Sequence, residues 1–277
     1  MKDLAREIDA AAVPEGSAAL WWLAGAGFAL KTGRGTRIYL DPYLSDAVER
    51  AFGFKRLSLA PIDAEDVRAH WAVASHEHLD HQDLDALAAI ARRNPGCRFA
   101  GPRSCAEGWE RIGIDPSRTA LLEPGSALDL GGVRVHAARA DHGDLSEAAL
   151  ALLFDFGRTR VFFTGDTALR PEWWGDLLER RPDVILTCIN GAFGNMDARE
   201  AALLVRTASP RVAIPCHFWL FAEHGGDPAA FVLACRELCP GTAVRLLTPG
   251  EGLLVTPEEI LGVPAAGGRR REPWDAT

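Results

Sequence analysis

The chain lacks an excess of basic charge: 30 Lys and Arg face 38 Asp and Glu, for a net charge of -8 over 277 residues. A general nucleic-acid binder presents a basic face, so no nucleic-acid partner is expected. No stretch reaches 18 uninterrupted apolar residues, and the opening MKDLAREIDAAAVPEG carries charges where a leader would carry an apolar core. Neither a membrane span nor a signal peptide is expected, which makes cytoplasmic the expected location. The six cysteines include no C-x-x-C pair. Cys97, Cys105, Cys188, Cys216, Cys235 and Cys239 are scattered through apolar segments and read as reduced core thiols. A short-period internal repeat is also missing. What is present is 48% hydrophobic and 25% charged, enough for one large domain or two small ones with a real core.

The most informative stretch is His76-Glu77-His78-Leu79-Asp80-His81, three imidazoles and two carboxylates in six residues. Neutral imidazole is the commonest metal ligand, and carboxylate joins it at catalytic zinc and iron sites. WAVAS before it reads as a short buried strand, and QDLDALAAIARR after it as an amphipathic helix starting near Gln82 or Asp83. The cluster therefore sits on a loop at the C-terminal end of a strand, where α/β folds place chemistry.

The rest of the chain alternates in the same way. Ala18 to Thr32 reads as two strands joined at Gly25 and Gly27, and Thr36 to Leu40 as a third. Residues 43–66 form a long irregular connection, a candidate pocket wall. Helices are expected over Arg103–Ile112, Pro171–Arg180, Met196–Ser209 (with Asp197 as N-cap) and Pro228–Cys239. Leu150–Phe156 and Thr159–Thr164 read as a hairpin turned at Gly157-Arg158. The boundaries that follow are a loose lead-in or short helix over 1–17, one domain over 18–261 and a polar, disordered tail over 262–277. Pattern alone gives an α/β domain.

H-x-H-x-D-H resembles the signature of the metallo-β-lactamase superfamily. Three more strand ends carry ligand-type residues in that superfamily's order: Ala140-Asp141-His142, Thr164-Gly165-Asp166-Thr167 and Pro215-Cys216-His217. The segments WWLAGAGFALKT, SHEHLDHQD, GPRSCAEGWERIGI, INGAFGNMDAREAA and IPCHFWLFAEHGGDP are similar to one branch, the L-ascorbate-6-phosphate lactonase family. The chain departs from that branch in being shorter around residues 43–66 and 143–150, where a substrate pocket would be shaped.

The resemblance implies a four-layer αββα sandwich and two divalent metal ions, Zn or Mn, with Fe a third option. His76, His78 and His142 would hold the first ion. Asp80, His81 and His217 would hold the second, with Asp166 bridging. It further implies hydrolysis of a lactone or similar small ester by hydroxide held between the ions, with Asp80 and Asp166 in catalytic positions. His224, just past His217 on a Gly-rich loop, is a candidate catalytic proton donor or substrate ligand, with a plain loop histidine the alternative. Asn190, Gly191 and Asn195 at a strand end, Arg103 at a helix start and Trp219 after the last ligand are candidate substrate contacts; turn and capping roles are the alternatives. Glu77 reads as a capping or supporting residue, Asp41 as support for a ligand.

Two other functions compete. One is a phosphodiesterase or nuclease of the same superfamily, since the same ligands serve phosphoryl transfer. The other is a non-catalytic metal-binding module, against which the full ligand set counts. A small-molecule substrate is the expected partner, and surface aromatics leave room for a homo-oligomer.

Overall fold

The computed structural model describes residues 4–263. Its strands are β1 (Ala18–Trp22), β2 (Phe28–Thr32), β3 (Arg37–Leu40), β4 (Trp71–Val73), β5 (Arg98–Gly101), β6 (Thr119–Leu121), β7 (Ala127–Asp129), β8 (Arg134–Arg139), β9 (Leu150–Asp155), β10 (Arg160–Phe163), β11 (Val184–Cys188), β12 (Val212–Cys216), β13 (Ala243–Val244), β14 (Gly252–Val255) and β15 (Ile260–Gly262). The helices are α1 (Leu4–Ala10), α2 (Ala47–Phe52), α3 (Leu84–Arg93), α4 (Ala106–Arg111), α5 (Gly175–Leu178), α6 (Ala198–Ala208) and α7 (Pro228–Leu238).

Two mixed sheets result. One runs β15-β14-β1-β2-β3-β4-β5-β6, the other β13-β12-β11-β10-β9-β8-β7. Period-2 alternation explains why the first sheet is buried on both faces. Ala18, Leu20, Trp22, Phe28, Leu30, Ile38, Leu40, Trp71 and Val73 point into the core shared with the second sheet. Their neighbours Ala19, Trp21, Ala29, Tyr39 and Ala72 join Leu4, Ile8, Leu87, Ile90 and Trp109 beneath α1, α3 and α4. On the other side α6 packs against α7 and β11. The fold is the expected αββα sandwich.

Several boundaries differ from expectation for local reasons. The lead-in takes the short-helix form of its two readings: α1 is pinned by the Trp21 indole donating to Glu7 and by the Lys31 ammonium donating to the carbonyls of Ile8, Asp9 and Ala11. The expected Pro171–Arg180 helix breaks into a 3₁₀ turn, Pro171–Trp173, and the single turn α5. Arg103–Ile112 likewise begins as a 3₁₀ turn before α4. The connection 43–66 holds α2 and a 3₁₀ turn at Ala64–Asp66. α6 starts where its N-cap was expected, with a capping box between Asp197 and Glu200. β15 extends the domain past residue 261; the remainder of the expected tail, from 264 on, lies outside the described residues. All six cysteines are free and buried.

Candidate metal centre

The parallel strands β3 and β4, and β10, β11 and β12, all end on one edge of the sandwich. Loops leaving those ends carry the metal-ligand candidates. His76 to His81 follow β4, His142 follows β8, Asp166 follows β10 and His217 follows β12. Hydrogen bonds sew these loops together. The backbone N–H of Asp141 donates to Thr167 Oγ1 at 2.9 Å, and that of His217 donates to the Gly25 carbonyl at 2.8 Å. Gly165 is required at its place: it has φ 61°, and a Cβ there would lie 2.7 Å from the Leu150 carbonyl oxygen.

Ligand atoms converge in three overlapping groups: His76, His78 and His142; His76, His81 and Asp166; and Asp80, His217 and His224. His76 Nε2 faces His78 Nδ1 at 2.9 Å. His81 Nε2 faces His217 Nε2 at 3.2 Å, Asp166 Oδ1 at 3.4 Å and Asp80 Oδ2 at 3.6 Å. His142 Nε2 lies 3.9 Å from Asp166 Oδ2, and His217 Nε2 lies 3.2 Å from Asp80 Oδ2. All seven sequence-predicted ligands are therefore brought together. The partition differs in one respect: His224, expected as a proton donor, places its Nε2 3.6 Å from Asp80 Oδ2 and stacks on His217 at 4.5 Å between ring centroids.

Outward contacts orient the imidazoles. His78 Nε2–H donates to the Leu145 carbonyl at 3.0 Å, which leaves Nδ1 a bare lone pair. Ser75 Oγ–H donates to Asp41 Oδ2 at 2.6 Å and so accepts from His76 Nδ1 at 3.0 Å, which leaves His76 Nε2 bare as well. Two lone pairs 2.9 Å apart with no proton between them fit a cation. Asp41 also accepts from His81 Nδ1 at 2.7 Å and from the Ser75 N–H at 2.7 Å. It does so from a left-handed backbone, φ 44°, as does His217 at φ 55°; strain of that kind concentrates at functional sites.

The electrostatics agree. Burial pushes His76 well below its ordinary pKa, helped by the neighbouring His81. Burial would lower His81 too, but Asp166, Asp80 and Asp41 raise it well above. Burial would raise Asp80 and Asp166; the surrounding histidines hold both far below the usual carboxylate range. Three carboxylates around one buried point call for positive charge, and a divalent ion coordinated by imidazole and carboxylate supplies it. The donor set thus fits metal. His224 is pushed down to about 4, first by burial and then by His217, so at neutral pH it is an uncharged imidazole and not an imidazolium acid.

The candidate substrate residues separate. Asn195 Nδ2 donates to Asp166 Oδ2 at 2.7 Å, which makes it a support for a ligand. The Asn190 side chain donates to the Ala192 carbonyl, leaving its buried Oδ1 without a partner. Gly191, at φ 62° against Asp197, serves the turn. Arg103 has a side chain that is 76% exposed and faces Glu123 at 3.9 Å. Trp219 is half-exposed two residues past His217. Trp21 and Trp22 are both buried.

Sequence reasoning left the job of Glu77 open. Burial would raise its carboxyl, yet hydrogen bonds hold it below the usual range, with Ser104 first among them. It accepts from Ser104 Oγ at 2.6 Å and Ser146 Oγ at 2.9 Å, tying the metal loop to the loop after His142. Both serines lie far away in sequence, and no local signal announces them.

Residues 36–218 match the family described as the beta-lactamase superfamily domain. The chain belongs to the metallo-β-lactamase superfamily. It is 32% identical over 250 residues to a UPF0173 metal-dependent hydrolase of Aeropyrum pernix, covering 84% of this chain and 96% of that protein; it belongs with those metal-dependent hydrolases. It is 22% identical over 271 residues to a probable L-ascorbate-6-phosphate lactonase of Escherichia fergusonii, covering 81% and 76%. Among solved structures, Igni18, a metallo hydrolase from Ignicoccus hospitalis, superposes with a TM-score of 0.69 at 22% identity, covering 86% of this chain and 98% of that one. The superfamily expectation is met. The lactonase branch is a more distant relative than the UPF0173 hydrolases.

Proposed function

We propose that the protein is a dinuclear metal-dependent hydrolase that opens a lactone or cleaves a similar small ester. The observation that carries this reading is the convergence of five imidazoles, those of His76, His78, His81, His142 and His217, with Asp80 and Asp166 on one buried point at the strand ends. One ion would sit with His76, His78 and His142. A second would sit with Asp80, His81 and His217, joined by His224, and Asp166 would lie between the two. Two divalent cations there would supply an activated water at neutral pH and polarise a carbonyl.

The chain's own residues do the rest. Ser75 and Leu145 fix the tautomers of His76 and His78, and Asp41 orients His81. Asn195 holds Asp166 by one oxygen and leaves Oδ1 toward His81. Metal identity follows the donor set, with Zn and Mn the candidates.

A panel of neutral lactones and p-nitrophenyl esters, assayed before and after EDTA and after adding back Zn or Mn, tests this. EDTA-sensitive, metal-restored ring opening supports it. Turnover confined to a fluorogenic phosphodiester would replace it with phosphoryl chemistry.

A further inference from the structure

The loop from β11 to α6 runs Asn190-Gly191-Ala192-Phe193-Gly194-Asn195. Gly191, Phe193 and Gly194 all have positive φ, at 62°, 55° and 80°. Glycine takes that conformation without penalty. A bulky side chain does so under strain, and such strain persists only where something holds it. Burial does not repay it here, because Phe193 is 46% exposed. Its ring instead stands edge-on to His224, 6.0 Å between centroids. Asn195 two residues on holds Asp166, so the loop that strains Phe193 is anchored in the metal centre.

Two more exposed apolar side chains adjoin other ligands. Trp219, also left-handed at φ 50°, lies two residues past His217 and is 56% exposed. Leu145 is 51% exposed, and its carbonyl holds His78. Among the described residues, the ring and hydrogen-bond contacts of these three include no lysine or arginine side chain. The charges acting most strongly on His76, Asp80, His142, Asp166 and His224 are other members of the cluster itself. Of the arginines on neighbouring loops, Arg170 pairs with Asp141 at 2.7 Å, Arg103 faces Glu123 at 3.9 Å, and Arg56, whose backbone bridges to Phe221, is turned to the Ser58 and Tyr43 carbonyls.

We propose that Phe193, with Trp219 and Leu145, forms an apolar rim that selects an uncharged substrate bearing an alkyl or aryl substituent beside the carbonyl, and disfavours phosphorylated sugar lactones. This rests on the hydrolase reading above. With the two ions taken up by the carbonyl and its activated water, a phosphate on the substituent would lie against Phe193, Trp219 and Leu145, whose contacts offer it no cationic partner. A hydrocarbon chain would leave water against Phe193.

The test compares α-alkyl-γ-butyrolactones of increasing alkyl length in the wild-type protein, F193A and F193G. Wild-type kcat/KM is expected to rise about twofold to fourfold per methylene, largely through KM, and both variants to flatten that rise. F193G also guards against misfolding, since glycine relieves the strained φ and its Tm should not fall below that of the wild type. Calorimetric binding of 2-alkylcyclopentanones, which keep the ring carbonyl and chain but cannot be hydrolysed, separates the two claims. Chain-length-dependent affinity lost in F193A, with no lactone turnover, supports the rim and sinks the hydrolase reading. Turnover without chain-length dependence, or a preference for a phosphorylated sugar lactone, overturns the rim and leaves the hydrolase reading standing.

Discussion

Asp41 and His81 are joined by a 2.7 Å contact between carboxylate Oδ2 and imidazole Nδ1, with both side chains fully buried. The parallel register of β3 with β4, Leu40 beside Val73, brings the residue after one strand next to the loop after the other. Asp41 therefore sets the direction in which the His81 Nε2 lone pair points. Asp41→Asn keeps the shape and tolerates the left-handed φ, but removes the charge. Metal affinity is expected to fall 10- to 100-fold, read by competition against a chromogenic chelator. Unchanged affinity would reduce Asp41 to a folding residue.

Gly165→Ala should lower stability by about 2 kcal/mol or more, because the added Cβ meets the Leu150 carbonyl in a backbone already at φ 61°. Urea unfolding with metal kept constant measures it. A stability within about 0.5 kcal/mol of wild type would show that the TGDT turn relaxes freely.

Lys31 closes the C-terminal end of α1 by donating to three carbonyls. Lys31→Met leaves those oxygens without their charged donor and is expected to cost about 1–3 kcal/mol. Protease sensitivity should appear first near residues 4–11. Equal protection of that segment in variant and wild type would contradict the account of α1 as a pinned helix.

His70 titrates below its ordinary value, first because of burial and then because of Arg37. Its Nδ1 accepts from the Arg37 backbone N–H, which requires the neutral ring. The unfolded chain binds this proton more readily than the folded one, so the contribution is present above the ordinary histidine value of 6.5 and is lost as pH falls through the lower folded value. His70→Asn should make the acid limb of the stability profile shallower than that of the wild type. A steeper limb in the variant would reverse the assigned sign.

Much of this site is legible in the chain because its ligands come in local words. H-x-H-x-D-H, TGDT and the His217 segment each sit directly after an apolar run, so strand ends and ligand types can be read together. The supports were harder to read. Asp41 needs the pairing of β3 with β4, and Glu77 needs Ser104 and Ser146, contacts that only the tertiary fold supplies. His224 joins Asp80 because the loop folds back through Gly225 and Gly226, where a Cβ on Gly226 would lie 2.5 Å from Phe218 Cβ. Arg103, at a helix start after Gly-Pro, could be read as an anion site or as a capping segment, and its partner Glu123 is twenty residues away in sequence. The Pro171–Arg180 helix broke because its amphipathic pattern was short and Trp174 is drawn inward, donating to the Arg139 carbonyl.

The central claim is that two ions are held together by Asp166. Elemental mass spectrometry on protein purified without chelator, for wild type and Asp166→Ala, tests it most directly when paired with lactone turnover of the same samples. The account predicts about two equivalents of Zn or Mn per chain in the wild type, with both metal loading and turnover lost in the variant. One equivalent of iron in the wild type, or full turnover in a metal-free sample, would contradict it.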